Sequence, residues 1–197
     1  MKDKTLAIID LGTNTFHLLI ARISEREDFS IEEKFKESVK LGEGGINSGE
    51  ISPTAFARGA SGMRQNKGHA DEVRAFATSA IRSASNVKEF VAKAKKEADI
   101  DIRIINGNEE AALIYEGVKN GVSIPYEEDT LIIDIGGGSV EFIVAREGKP
   151  QLLRSLPLGA ARLLEAVNPS DPLPDPQLER ARQNISDRLA ALLPALR

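Results

Sequence analysis

Cysteine and tryptophan are absent from this 197-residue chain, histidine occurs twice, and aromatic residues make up only 5%. Without cysteine there is no disulfide framework, no thiol nucleophile and no Cys-based metal centre. That absence fits a reducing compartment, and a cytoplasmic location is expected. With so few aromatics the core must be aliphatic. No long basic tract is present and the net charge is −4, so neither nucleic acid nor a membrane surface is an expected partner. Long apolar runs are missing as well. The run nearest the N-terminus is broken by Asp10, Asn14 and His17, which is too polar for a signal h-region or a membrane span. What remains is 41% hydrophobic and 28% charged, the composition of one globular domain or two small ones.

Within that ordinary composition one pattern occurs twice. Ile8 to Ile20 reads IIDLGTNTFHLLI, and Ile132 to Val144 reads IIDIGGGSVEFIV. The segments align without a gap at an offset of 124 residues. Asp10 matches Asp134, Gly12 matches Gly136, and Thr15 matches Ser139. Apolar positions flank both. The chain has made one strand–turn–strand unit twice.

The elements around the repeat alternate. Strands are predicted at Leu6–Asp10, Phe16–Ile23, Ile31–Val39 and Val73–Thr78, with another at Ile100–Ile105. A glycine-rich loop fills Leu41–Gly49. A helix capped by Ser52 and opened by Pro53 is predicted to run to about Asn66, weakened by Gly59 and Gly62. Asn86 and Glu89 form a capping-box pattern before a helix over Val87–Ala98, and another helix spans about Glu109–Asn120. The Pro- and acid-rich stretch Ser123–Asp129 suits a hinge, which divides the chain into 1–124 and 125–197. The second copy supplies strands Leu131–Ile135, Val140–Arg146 and Gln151–Leu156, then a helix at Gly159–Val167. NPSDPLPDP, from Asn168, holds four prolines in nine residues and is expected to be irregular. A last helix, Gln177–Leu193, carries Leu178, Ile185, Leu189 and Leu192 as an apolar stripe needing cover from its own domain or from a second subunit, which makes a homodimer an option. The whole reads as α/β, with mixed sheets and flanking helices.

Glycines at a hairpin tip let backbone approach a ligand, since no Cβ intervenes. Successive N–H groups there can form an anion-binding concavity, and Ser or Thr adds a hydroxyl. Neither copy has the lysine and following helix of a P-loop. Asp10 and Asp134 end their strands beside the turns. A carboxylate meets a phosphate only through a cation, so Mg²⁺ is expected, with Glu141 in reach of the same ion. Plain hairpin turns would explain either copy alone; two copies with matching Asp, Gly and Ser/Thr are better explained by a ligand. His17 reads as a strand-face residue without catalytic duty, and His69 as solvent-exposed.

DLGTNTFHLLIARI, ATSAIRSA, INGNEEA and IDIGGGSVE, in this order, resemble the exopolyphosphatase / guanosine pentaphosphate phosphohydrolase family, within the actin-like ATPase superfamily. The resemblance runs from about Leu6 to Leu164. It implies two actin-like (ribonuclease H-like) domains with the active site in the cleft between them, and release of terminal phosphate from polyphosphate or from pppGpp, the alarmone of the stringent response. It assigns Glu110 as the catalytic glutamate acting on the attacking water and Arg82 as an arginine on phosphate. Asp134 and Glu141 become Mg²⁺ ligands. Asp10, Gly12, Thr13, Asn14 and Thr15 form the first phosphate loop, and Gly136, Gly137, Gly138 and Ser139 the second. Without the resemblance, Glu109 and Glu110 would read as first-turn acids favoured by the helix dipole, and Arg82 as a loop residue at a strand's C-terminal end.

Set against the family, the part of the chain after the second copy is short, and the second domain is expected to be truncated or small. Two rival functions are weighed beside the hydrolase. A kinase or ATPase would need an adenosine-binding motif after Pro157, and none is recognisable. A polyphosphate- or alarmone-binding module without turnover would not need Glu110, Asp134 and Glu141 intact.

Overall fold

The computed structural model describes residues 3–25, 28–65 and 70–195. The expected exposure of His69 and the expected helix end near Asn66 lie outside them. The chain divides into two compact units, 1–105 and 106–197.

The first unit is built on a five-stranded mixed sheet. Its strands are β1 (Lys4–Leu11), β2 (Thr15–Ile23), β3 (Phe29–Ser38), β4 (Glu72–Ala77) and β5 (Ile102–Ile104), in the spatial order β3-β2-β1-β4-β5. The first three form an antiparallel meander, and β4 and β5 add in parallel. The helices are α1 (Pro53–Gln65), α2 (Ser79–Ser83) and α3 (Val87–Ala98). Among the described residues the core is aliphatic apart from Phe16 and Phe90: Ala7, Ile9, Leu11, Leu18, Ala75, Ala77, Ile81 and Ile100 are buried with them. Gly59 has a packing reason within α1. A Cβ there would stand 3.1 Å from both Leu41 Cδ2 and Phe90 Cε2, so its absence lets α1 lie close over α3.

Ser52 caps α1 as expected, its Oγ accepting from Ala55 N at 3.3 Å. Asn86 does not act as the capping box predicts. Its side chain makes no cap bond to α3. Instead Oδ1 accepts from Ile51 N at 3.0 Å and Nδ2 donates to Ile51 O at 2.8 Å. A two-bond tertiary clamp has displaced a local cap, because both amide groups find backbone partners in one residue.

The second unit has three layers. Its central sheet is an antiparallel meander of β6 (Thr130–Ile135), β7 (Val140–Arg146) and β8 (Lys149–Leu156). One face is covered by α4 (Gly107–Gly121), whose Ala111 and Tyr115 pack with Ile132, Ile143 and Leu153. This is why the units divide after Ile105 and not at 124/125. The apolar face of α4 belongs to the sheet that follows it. On the other face Val140, Phe142, Leu152 and Leu156 pack with Leu158 and with Ile185, Leu189 and Leu192. The last three belong to or follow α6 (Asp175–Ala190), which comes after α5 (Ala160–Val167) and ends near a short 3₁₀ turn, Leu193–Ala195. Ile185, Leu189 and Leu192 of the final stripe are therefore packed on their own sheet and give no separate support for a dimer. The proline tract is irregular only to Pro174. Asp175 and Pro176 already lie in the first turn of α6, where proline costs no helical hydrogen bond.

Tyr115 sits in the middle of the α4 layer. Its hydroxyl is buried and has no hydrogen-bond partner among the described residues. Leaving a buried hydroxyl unpaired costs about 1–3 kcal/mol. Tyr115→Phe should raise the unfolding midpoint by about 2–4 °C for each kcal/mol relieved, measured by scanning calorimetry. A lowered midpoint would show that the hydroxyl is paired after all.

Among the described residues no helix is long and apolar enough to cross a membrane.

Candidate functional site

The two repeated turns bring their first glycine against the carbonyl three residues on. A Cβ on Gly12 would stand 2.8 Å from the carbonyl oxygen of Thr15, and one on Gly136 would stand 3.1 Å from that of Ser139. In the second turn Gly136 N donates to Ser139 O at 3.0 Å, closing the hairpin tip. The first turn needs glycine at this point because the carbonyl three residues on occupies the side-chain position, and the second leaves a side chain only a tight fit.

In the first unit the turn is braced by the segment after β3. Val39 N and Lys40 N both donate to Asn14 O, at 3.0 and 2.9 Å, and Gly42 N donates to Thr13 O at 3.2 Å. Thr13 is buried, and its methyl faces Gly42 so closely that a Cβ there would meet it at 2.8 Å. Asn14 is exposed and Thr15 half-buried. Asp10 is exposed and lies opposite His17 in the β1–β2 register. Arg82 lies in α2 rather than in a loop. Its Nη1 donates to Ile105 O at 3.0 Å, which ties α2 to the end of β5 with one of the guanidinium's five N–H groups.

The second unit differs at one decisive position. Across β6, β7 and β8 the register sets Asp134 opposite Glu141, and Glu141 opposite Ser155. Directly opposed side chains share one face, with Cβ atoms about 5 Å apart. Two like charges so placed oppose sheet formation. The repeat puts His17 where the second copy has Glu141, so only the second copy carries the carboxylate pair. Ile132, Ile143 and Leu153 form the neighbouring row of the same face, under α4. The first turn of α4, with Glu110, thus belongs to the layer above the carboxylates. Asn106 caps that turn, its Oδ1 accepting from Glu109 N at 2.9 Å.

Glu141 is 2% exposed, a buried acid. Ser155 Oγ donates to its Oε1 at 2.7 Å, and the Ser139 hydroxyl also bonds it. Burial pushes the Glu141 carboxyl above the usual carboxylate range. The charges of Glu110 and Asp134 push it the same way, while the bonds from Ser155 and Ser139 pull it back. Glu110 and Asp134 therefore both act electrostatically on Glu141 within this unit. Among the described residues no three His or acidic side chains converge as a ready-made metal centre. Mg²⁺ does not need one, because it is held by one or two carboxylates, with water and substrate phosphate completing an octahedron. Asp134 and Glu141, hard oxygen donors opposed on one sheet face, fit that ion.

Of the residues that the sequence singles out, Asp134, Glu141, Glu110 and the Gly136–Ser139 turn fall together in the second unit, while Asp10, Gly12–Thr15 and Arg82 fall in the first. Three neighbours of the second turn have no signal in the motifs. Ser155 enters only through the β7–β8 register. Gly159 and Arg162 enter because α5 abuts the glycine turn. Ala160 N donates to Gly136 O at 2.9 Å and Ala161 N to Gly137 O at 2.8 Å, while Arg162 Nε donates to Gly138 O at 2.8 Å. A Cβ on Gly159 would stand 2.3 Å from Gly137 C and 2.4 Å from Gly138 N.

The family model of the Ppx/GppA phosphatase family matches residues 19–197. An exopolyphosphatase from Cytophaga hutchinsonii, known from its crystal structure, is 33% identical with a TM-score of 0.90, covering 98% of this chain and 63% of its own. An exopolyphosphatase-like protein is 25% identical with a TM-score of 0.87, covering 97% of this chain and 62% of its own. The Aquifex aeolicus PPX-GPPA enzyme is 26% identical with a TM-score of 0.73, covering 96% and 64%. The chain thus spans less than two thirds of the length of each.

Proposed function

Because the chain belongs to the Ppx/GppA phosphatase family and has the actin-like ATPase type of fold, we propose that it is a Mg²⁺-dependent phosphoanhydride hydrolase. It would release the terminal phosphate of inorganic polyphosphate, of pppGpp, or of both. One observation carries the reading: Asp134 and Glu141 are opposed on one sheet face beside a glycine turn, with Glu110 acting on Glu141. That arrangement costs stability and is explained by a cation.

Phosphoryl transfer depends on positioning and charge neutralisation more than on covalent help. Bound at Asp134 and Glu141, Mg²⁺ supplies positive charge against the anhydride oxygens. Glu110 orients the attacking water and accepts its proton as the water oxygen bonds to the terminal phosphorus and the anhydride P–O bond breaks. The N–H groups of Gly137, Gly138 and Ser139 hold phosphate oxygens. The first turn, Gly12–Thr15, repeats that motif in the other unit and is assigned phosphate contacts on the strength of the repeat, and Asp10 would act on phosphate only through a cation. The place of Arg82 in the ATSAIRSA motif supports its contact with phosphate, and inorganic polyphosphate and pppGpp are the substrates the family resemblance favours.

The test is release of inorganic phosphate from tripolyphosphate and, separately, from pppGpp, each with Mg²⁺ and with EDTA. Metal-dependent release from either supports the reading and names the substrate. Metal-dependent binding without release from either would replace it with a binding module.

A further inference from the structure

The glycine turn in the second unit holds three consecutive glycines, the least constrained backbone a chain can have. A loop that must present its N–H groups in one direction cannot be left to that freedom. We propose that α5 is the device that sets it, with Arg162 and Gly159 as its positioning residues. The role in holding phosphate rests on the function proposed above; the clamp itself does not.

Three successive carbonyls of the turn, Gly136, Gly137 and Gly138, are each taken by a donor from α5: Ala160 N, Ala161 N and Arg162 Nε. The first turn of a helix has N–H groups without intrahelical partners. Here two of them are matched to the turn, and Arg162 extends the series by one. In a trans peptide the C=O and the following N–H point in opposite directions. Holding these carbonyls toward α5 therefore turns the N–H groups of Gly137, Gly138 and Ser139 to the other side, as a row. A row of that kind is an anion-binding concavity. The helix N-terminus is not itself the anion site, because its donors face the turn.

Gly159 makes the approach possible. Its φ of −65° and ψ of 161° suit any residue, so torsion does not demand glycine. Space does. The turn's backbone fills the place of a side chain, at 2.3 Å from Gly137 C. Gly159 O also accepts from Leu163 N at 3.0 Å, so the residue starts the helix and touches the turn together. Arg162 suits its position because Nε–H sits in a rigid guanidinium plane.

The test compares the parent with Arg162→Met, Arg162→Lys and Gly159→Ala. It reads the ¹⁵N amide shifts of residues 136–139 without ligand, the affinity for tripolyphosphate with Mg²⁺ by calorimetry, and the unfolding midpoint. Arg162 is half-buried on a short helix, so its variants should fold. Arg162→Met should shift the four amides and weaken tripolyphosphate binding about tenfold, the worth of one charge-assisted hydrogen bond. The midpoint should fall by a few degrees, because the same bond is lost from the ligand-free fold. Arg162→Lys, which keeps a donor, should recover part of the affinity. Gly159→Ala should weaken binding further, because it displaces the turn instead of loosening it. Unmoved amides in Arg162→Met overturn the clamp, whether affinity is kept or lost; lost affinity with unmoved amides would put Arg162 on the phosphate itself. Shifted amides in a chain whose parent does not bind tripolyphosphate leave the clamp standing and remove the polyphosphate branch of the function proposed above; binding of neither tripolyphosphate nor pppGpp removes that function whole.

Discussion

Glu110→Gln should slow phosphate release about 10²–10⁴-fold, the usual contribution of a positioned general base, while the chain folds as before. The expectation of a clean loss comes from the position of Glu110. It lies in the first turn of α4, half-buried. Its backbone N donates to Asn106 O at 2.9 Å, and the side-chain cap from Asn106 goes to Glu109 N. Glutamine disturbs neither bond. A carboxylate near a helix N-terminus is worth about 0.3–1 kcal/mol, and Glu109 remains there to provide it. The like-charge push of Glu110 on Glu141 also disappears, which offsets some of that loss. Stability should therefore move little, and a large change in rate can be read as chemistry.

The measurement is single-turnover phosphate release beside tripolyphosphate affinity. A base predicts that the rate collapses while binding stays within a few-fold. If the rate stays within a few-fold as well, Glu110 is a first-turn acid serving the helix dipole and the water must be activated elsewhere. If binding is lost with the rate, Glu110 holds ligand or cation instead of acting on water. Glu109→Gln is the internal comparison, and its rate should match the parent.

Local chemistry is legible in the amino-acid sequence; register and distant neighbours are not. The gapless repeat announces two equivalent turns, and Gly12 and Gly136 do meet the carbonyls of Thr15 and Ser139 in the same way. The alternation of apolar runs marks the strands to within a few residues. Asp134 and Glu141 are visible as two acids, but their opposition needs the hairpin register. Ser155 needs a second register, across a bulge between Val144 and Ala145 that no residue count reveals. Asn86 has a correct local pattern for a cap and loses it to Ile51, because tertiary hydrogen bonds outcompete a local one. Gly159 reads as an ordinary helix start, since a glycine required by space and one required by torsion look alike in sequence. The hinge at 123–129 gives helix α4 to the sheet before it for a related reason: an apolar face shows that a partner exists without showing which sheet supplies it.

Glu141→Gln should have two effects of opposite sign. In the metal-free chain at neutral pH it should raise stability by about 1 kcal/mol, the scale of a like-charge pair directly opposed on a sheet, or roughly 2–4 °C. It should also remove Mg²⁺-dependent turnover. The stability argument follows from proton linkage. The folded state holds the Glu141 carboxyl above the ordinary carboxylate range, through burial first and then Glu110 and Asp134. Between the unfolded and the folded value, the folded chain keeps a proton that the unfolded chain has released. Stability therefore falls as pH rises through that window, and the penalty is present in full above it. Glutamine does not titrate. Its Oε1 can accept from Ser155 Oγ, as Glu141 does now at 2.7 Å, and its amide can donate toward Asp134. The variant's advantage should shrink as the pH is lowered below the ordinary carboxylate range, where Glu141 is protonated in both states. Added Mg²⁺ should reverse the ranking, because a ligand that binds only the folded state stabilises it: the parent's midpoint should rise with the metal and the variant's should not. Thermal scans from acid to neutral pH, with and without Mg²⁺, read both effects. Equal metal stabilisation of the two chains would place the cation away from Glu141, and a parent more stable than the variant without metal would mean that the Ser155 and Ser139 bonds outweigh burial and repulsion.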